Sequence, residues 1–281
     1  VRIANVDGRL VLATSSERGI DVEKASNGRF TADPADIFDR WSEFVEWSAG
    51  LNGTAPDTDL TPTRLGAPSP APAQVFAIGL NYHAHADESG FDIPTSPVVF
   101  TKYRSALTGP VTTVTLPPNG QTDWETELVV VIGKEGKAVS EDAAWDYVAG
   151  LTIGQDLSER ITQRQGPAPQ FNLGKSFPGF APTGPWIVTP DEFANPDDIA
   201  LGCTINGSEM QNGRTSQLIF SIPSLIAHLS SIVTLHPGDL IFTGTPAGVG
   251  LGRDPQVWLA PGDELVTWVE GIGELRQSFV A

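Results

Sequence analysis

Glu125 and Glu127 stand two residues apart at the head of an apolar run, Leu128 to Ile132, that ends at Gly133. Such a run, closed by a glycine, reads as a buried strand. Side chains alternate across a strand, so both carboxylates face the same way. Two like charges side by side repel, and burying them unpaired is costly or forces one to take a proton. A divalent cation removes that cost, and so does water if the strand end is solvated. Asp156 ends another strand, after Gly154, and adds a third carboxylate. Three oxygen donors from two strands suit Mg²⁺ or Mn²⁺, which favour all-oxygen sites and keep open positions. No Cys/His cluster has zinc spacing. Read by itself, Asp156 is instead an N-cap for a helix over Leu157–Ile161.

Other reactive types are scattered along the chain. His85 and Glu88 lie three apart. On one helical turn they share a face, where the carboxylate raises the basicity of the imidazole and fixes its tautomer, as a general base needs. A polar surface loop is the plain alternative, and His83 and Asp87 fit it. Arg160 and Gln163 repeat the three-residue spacing. Arginine can pin a carboxylate bidentately and glutamine can donate to a carbonyl. Lys175, in Gly174-Lys-Ser-Phe177, and Lys102, after Val98–Thr101, either snorkel or point into a pocket. Gly244-Thr-Pro-Ala-Gly-Val-Gly250 lacks the lysine of a phosphate loop and the spacing of a dinucleotide fingerprint. It reads as a tight loop presenting Thr245 and backbone N–H groups.

Short strands must position these groups. Val75–Ile78, Val98–Thr101, Tyr147–Gln155, Trp186–Val188, Leu201–Ile205, Leu240–Thr243 and Leu265–Val269 all have strand character. Helical spacing marks Pro34–Gly50, Glu141–Val148 with Ser140 as N-cap, and Ile219–Leu229 with Pro223 in its first turn. Asp7-Gly8 joins Arg2–Val6 to Arg9–Thr14 as a hairpin turn. Asn52–Pro72, rich in Thr, Pro, Gly and Asp, reads as a linker or surface meander, which puts a boundary near residue 70. Strands dominate and helices are short, so the expected class is a β-rich α+β fold: a small N-terminal α/β domain over 1–70 and a catalytic body over 71–281.

The chain has 281 residues and a formal net charge of -17. An acidic surface repels nucleic acid and anionic membranes, so neither is an expected partner, and an anionic substrate needs a local cation. There are five lysines, of which Lys102 and Lys175 are two. The single cysteine, Cys203, reads as a buried structural thiol in a reducing cytosol, which makes a cytoplasmic location the expectation. The N-terminus shows no signal-peptide pattern, and no apolar stretch is long enough for a bilayer.

Several blocks occur in order: Gly79-Leu-Asn-Tyr-x-x-His-x-x-Glu88, Glu125-x-Glu127-Leu, Gln155-Asp-x-Ser-x-Arg160, Gly174-Lys-Ser-Phe177, Pro237 to Gly250, and Pro261-Gly-Asp263. Together they resemble the fumarylacetoacetate hydrolase family from about residue 72 onward. Gln155 and Glu159 depart from the residues common there. The resemblance implies a β-rich catalytic domain, a mixed sandwich or roll with short helices, that forms a homodimer. It implies Mg²⁺ or Mn²⁺ on Glu125, Glu127 and Asp156, with Ca²⁺ as a stand-in in a crystal. It implies a His85–Glu88 dyad on a short helix that orders over bound substrate. Arg160, Gln163, Lys175 and Thr245 would contact a 2-oxo acid, Lys175 near the charge that develops on it, with Tyr82 and Lys102 beside them as substrate-binding residues.

The expected reaction is metal-dependent hydrolysis of a C–C bond in an acylpyruvate, giving pyruvate and a carboxylic acid. The alternatives on the same site are oxaloacetate decarboxylation and isomerisation of a 2-hydroxy-dienoate. A binding protein with a structural cation is a third reading, opposed by the joint presence of His85, Glu88, Arg160 and Lys175. The distal group of the substrate would be set by residues around 89–97 and 165–172, of which Gln165–Phe171 offers few polar handles and so suggests an apolar or aromatic acyl tail.

Overall fold

A computed structural model describes every residue except Asn52, Ser89 and Phe91. The strand that carries the acidic pair runs from Thr126 to Ile132 and all seven of its residues are buried. Its two faces feed two separate parts of the core: Val129 and Val131 belong to one, Leu128, Val130 and Ile132 to the other. That explains why its sequence is continuously apolar rather than alternating. It pairs antiparallel with Val148–Gln155 on one side and Leu240–Phe242 on the other.

These strands lie in the middle of a mixed sheet. From the Thr126–Ile132 strand the order runs through Leu240–Phe242 and Val75–Gly79 to Val98–Thr101 at one edge. In the other direction it runs through Val148–Gln155 and Ala181–Val188 to Arg2–Val6, Arg9–Ala13, Arg18–Asp21 and Thr58–Asp59. A second sheet orders Ser208–Arg214, Ala200–Ile205, Glu264–Val269, Gly273–Val280 and Val111–Thr115. Its inward residues supply Cys203, Leu265 and Phe279 to one part of the core and Leu201, Val269 and Leu275 to the other. The α+β, strand-rich class is the one expected.

The N-terminal residues do not stop at a gap near residue 70. Arg2–Val6 pairs antiparallel with Ala181–Val188, Ile3 opposite Ile187, so the large sheet runs across that boundary. The hairpin through Asp7 and Gly8 forms as expected, both residues at positive φ (50° and 81°), as a two-residue turn of matching twist requires. Residues 53–72 form a meander that contributes two-residue strands at Thr58–Asp59 and Leu65–Gly66.

Helices are short. The longest is Ile222–Ile232, capped by Ser221, whose hydroxyl accepts from Ser224 N–H, with Pro223 in the first turn. It begins three residues later than the hydrophobic spacing alone suggests because the cap lies at Ser221. Glu141–Tyr147 is a 3₁₀ rather than an α-helix, and Ser140 makes no side-chain cap bond. The helix expected over Leu157–Ile161 is instead a two-residue strand, Ser158–Glu159, followed by a helical turn, Arg160–Gln163. Glu159, not Asp156, caps that turn, accepting from Ile161 and Thr162 N–H.

Candidate active site

The leading end of the Thr126–Ile132 strand meets the trailing end of Val148–Gln155, Glu127 opposite Gly154. Asp156 N–H donates to the Glu125 carbonyl at 2.8 Å, which carries the pairing one step further. That register places carboxylate oxygens of Glu125, Glu127 and Asp156 all within 4.8 Å of one another. All three residues are buried.

Cations crowd this cluster unevenly. Lys175 Nζ lies 2.6 Å from Glu125 Oε2 and 2.7 Å from Asp156 Oδ2. Lys102 Nζ donates to Asp156 Oδ1 and to the Lys175 carbonyl. Arg160 donates to Glu125 Oε1 at 2.7 Å and to Asp123 Oδ2 through two N–H groups. Glu127 has no ion pair among the described residues; its Oε2 accepts only the Gly244 N–H, at 2.7 Å. The electrostatics follow. Burial raises the Glu125 carboxyl, but Lys175 and Arg160 more than offset this and hold it below the ordinary range. Burial, then Asp156 and Glu125, push the Glu127 carboxyl well above it. Burial pulls Lys102 down, whereas the carboxylates on Lys175 outweigh its burial and raise it. A hard, oxygen-only donor set with one carboxylate left uncompensated fits a divalent ion such as Mg²⁺ or Mn²⁺.

A cavity of about 600 Å³ opens beside the cluster. Its wall includes His85, Glu125, Arg160, Gln163, Lys175 and Thr245. His85 Nδ1 is 2.8 Å from Glu88 Oε1, on the helical turn His83–Glu88. Glu88 is itself held, since its Oε2 accepts the Gly248 N–H at 2.8 Å. With Nδ1–H donated to the carboxylate, Nε2 is the basic nitrogen of the ring. His83 and Asp87 are exposed, as a plain surface reading predicts.

Three of the residues expected to bind substrate are set back from the cavity or engaged by the protein. Lys102 is wholly buried against Asp156 and is not part of the cavity wall, and the contacts it makes here are with the protein. Tyr82 also lies off that wall; its hydroxyl is buried without a partner among the described residues, and burial, then the Glu127 charge, raise its pKa and make it a weaker acid. Arg160 lines the cavity, yet four of its five N–H groups serve Asp123, Glu125 and Gln163, so its bidentate grip is on the protein. The expectation that residues around 89–97 set the distal group falls partly on Ser89 and Phe91, outside the described residues.

Asp123 was not singled out by sequence reasoning. Beyond Arg160, it accepts the Gly250 and Leu251 N–H groups at 2.6 and 3.0 Å. The glycine-rich loop was legible as a donor of backbone N–H groups, but its acceptors are the protein's own acids: Glu127 at Gly244, Glu88 at Gly248 and Asp123 at Gly250. Gly244 shows why a glycine is needed, with φ at 104° and a Cβ that would fall 2.7 Å from the Asn81 Cβ. Thr245 faces the cavity while its hydroxyl accepts from Gln211 Nε2 at 2.7 Å. Cys203 is buried beside Gln211, and burial pushes its thiol up to about 12, which suits a structural role.

Comparison with known proteins places this site in context. Residues 74–280 match the family model described as fumarylacetoacetate (FAA) hydrolase, C-terminal. The 2,4-didehydro-3-deoxy-L-rhamnonate hydrolase of Sphingomonas sp. (strain SKA58) is 46% identical over 216 residues, 76% of this chain and 75% of that protein. The mitochondrial oxaloacetate tautomerase FAHD2A of Homo sapiens is 43% identical over 215 residues, 76% of this chain and 68% of that one. Among solved structures, a protein designated HpcE from Mycobacterium smegmatis superposes with a TM-score of 0.93 at 53% identity, over 100% of this chain and 99% of that one. Maleylpyruvate hydrolase from Sphingobium sp. SYK-6, solved with manganese(II) and pyruvate, gives a TM-score of 0.80 at 28% identity over 100% and 99%. Among the described residues, no helix is long and apolar enough to cross a membrane.

Proposed function

The chain belongs to the fumarylacetoacetate hydrolase family, whose members include hydrolases, isomerases and tautomerases, and from that premise we propose that it is a metal-dependent hydrolase of acylpyruvates. The observation that carries this choice is the His85–Glu88 pair, anchored at Gly248 and facing the cavity that holds Glu125. Hydrolysis needs a base to take a proton from water, whereas decarboxylation does not. Manganese and pyruvate together in the maleylpyruvate hydrolase support the ligand class.

Glu125, Glu127 and Asp156 would hold Mg²⁺ or Mn²⁺, which when bound would supply Lewis acidity toward the 2-oxo acid end of the substrate. His85 Nε2 takes a proton from water, and Glu88 stabilises the imidazolium that results. The hydroxide adds to the distal carbonyl carbon. The bond from that carbon to the pyruvyl methylene breaks, its electron pair stays on the methylene, and a proton there completes pyruvate. Lys175 lies on the cavity wall as a cation for the charge that develops. The second N–H of Arg160 Nη1, without a partner among the described residues, and the Gln163 amide provide donors for the carboxylate end.

The test is to incubate Mg²⁺-loaded protein with an acylpyruvate and follow loss of enol absorbance with appearance of pyruvate. Inertness toward acylpyruvates of every chain length would sink the hydrolase reading. Proton shuttling by the same dyad, as the tautomerase relative suggests, is the second reading. It predicts interconversion of oxaloacetate tautomers with no pyruvate released.

A further inference from the structure

The cavity has two chemically different halves. Its inner end carries the polar side chains already described. Apart from Arg164, the rest of its lining is apolar and includes Gly79, Val98, Phe100, Pro169 and Phe171. The change is abrupt at Phe100, whose ring centroid is 4.9 Å from Lys175 Nζ and 5.6 Å from that of Phe171. The lining residues of this distal half include a single charged side chain, Arg164, and it is exposed.

Gly79 sets how wide that half is. A Cβ there would meet Val98 Cγ1 at 3.6 Å, Phe171 at 3.7 Å and Phe100 at 3.8 Å, all ordinary contacts. A methyl there would therefore pack against all three walls without a clash, so no steric need for glycine explains its absence.

We propose, resting on the acylpyruvate reading, that the distal half of the cavity selects substrates whose acyl group is an uncharged carbon chain or ring, and that Gly79 and Phe171 set this selectivity. A carboxylate placed deep among these walls would lose its water and gain no buried partner. A methylene placed there leaves water at a gain in affinity of about fourfold. Phe171 supplies the face that a chain or ring would cover.

Binding tests this without turnover. Calorimetry on the Mg²⁺-loaded protein would compare pyruvate, 2-oxobutanoate, 2-oxohexanoate and 2-oxoglutarate. The last two have tails of similar size, one neutral and one charged. Affinity is expected to rise about fourfold per methylene from pyruvate to 2-oxohexanoate, with 2-oxoglutarate weaker than 2-oxohexanoate. Gly79→Ala, by filling the space, and Phe171→Ala, by removing the wall, are each expected to flatten that rise. A flat series, or tighter binding of 2-oxoglutarate through Arg164, overturns the selectivity while leaving the 2-oxo acid site standing. No binding of any 2-oxo acid, pyruvate included, overturns the functional reading on which it rests, and the selectivity with it.

Discussion

The charges around the N-terminal helix Trp41–Ser48 and those of the candidate site use the same chemistry in opposite settings. On the N-terminal side, Arg29 and Arg40 both reach Glu43 at 2.7 Å, and all three side chains are well exposed. Their hydrogen bonds hold the Glu43 carboxyl down at about 2, Arg40 first and then Arg29, but water and salt screen such pairs and they add little to stability. In the site, Lys102, Lys175 and Arg160 face Asp123, Glu125 and Asp156 with almost no exposure. Taking those ions out of water is expensive, and apolar residues of similar volume would stabilise the fold at least as well. Such an arrangement is a poor stabilising device and a good way to hold a cation and an anionic ligand. The difference teaches that geometry alone does not rank ion pairs; burial and the uncompensated member do.

The comparison can be broken by removing one partner at a time. Arg160→Ala in chelator-treated protein leaves Asp123 buried without the cation that pairs with it and Glu125 with Lys175 alone, and the expected loss is about 3–5 kcal/mol in urea unfolding. A loss no larger than that of an exposed pair would contradict the contrast.

Glu127 gives a smaller effect of opposite sign. Its folded pKa is raised, so its charged form is the disfavoured one in the fold. Stability of the metal-free protein should therefore fall as pH rises from the ordinary glutamate range through the raised value. Glu127→Gln should flatten that fall, making the metal-free variant the more stable of the two at neutral pH. Urea midpoints of both proteins in chelator across this range check the sign, and a variant that tracks wild type at every pH would remove Glu127 as the uncompensated charge.

Glu43→Gln marks the low end. A lowered carboxyl contributes stability above the ordinary glutamate range that is lost as pH falls toward about 2, but this group is fully exposed. Thermal midpoints of variant and wild type should coincide at neutral pH in moderate salt.

Much of the site was legible because it follows local rules. Period-two alternation put Glu125 and Glu127 on one face, three-residue spacing paired His85 with Glu88, and the glycine run promised backbone donors. Asp156 shows where local rules stop. An N-cap and a buried ligand look alike in sequence, and the decision came from Lys175 and Lys102, 19 and 54 residues away. Asp123 was invisible for the same reason, with partners at Arg160, Gly250 and Leu251. The strands Val111–Thr115, Ser208–Arg214 and Gly273–Val280 were missed because they mix polar and small residues and owe their state to pairing across the second sheet. The Asn52–Pro72 stretch has the composition of a linker, and the pairing of Ile3 with Ile187 across it depends on residues far apart in sequence.

The central claim is that the buried charges are arranged around a divalent cation. The most direct measurement is Mn²⁺ titration, by electron paramagnetic resonance, of chelator-stripped wild type and of Glu127→Gln. Tight binding of a single ion per chain by wild type, weakened at least tenfold in the folded variant, is the expected result. Absence of Mn²⁺ binding by wild type, or equal affinity in both proteins, would contradict it.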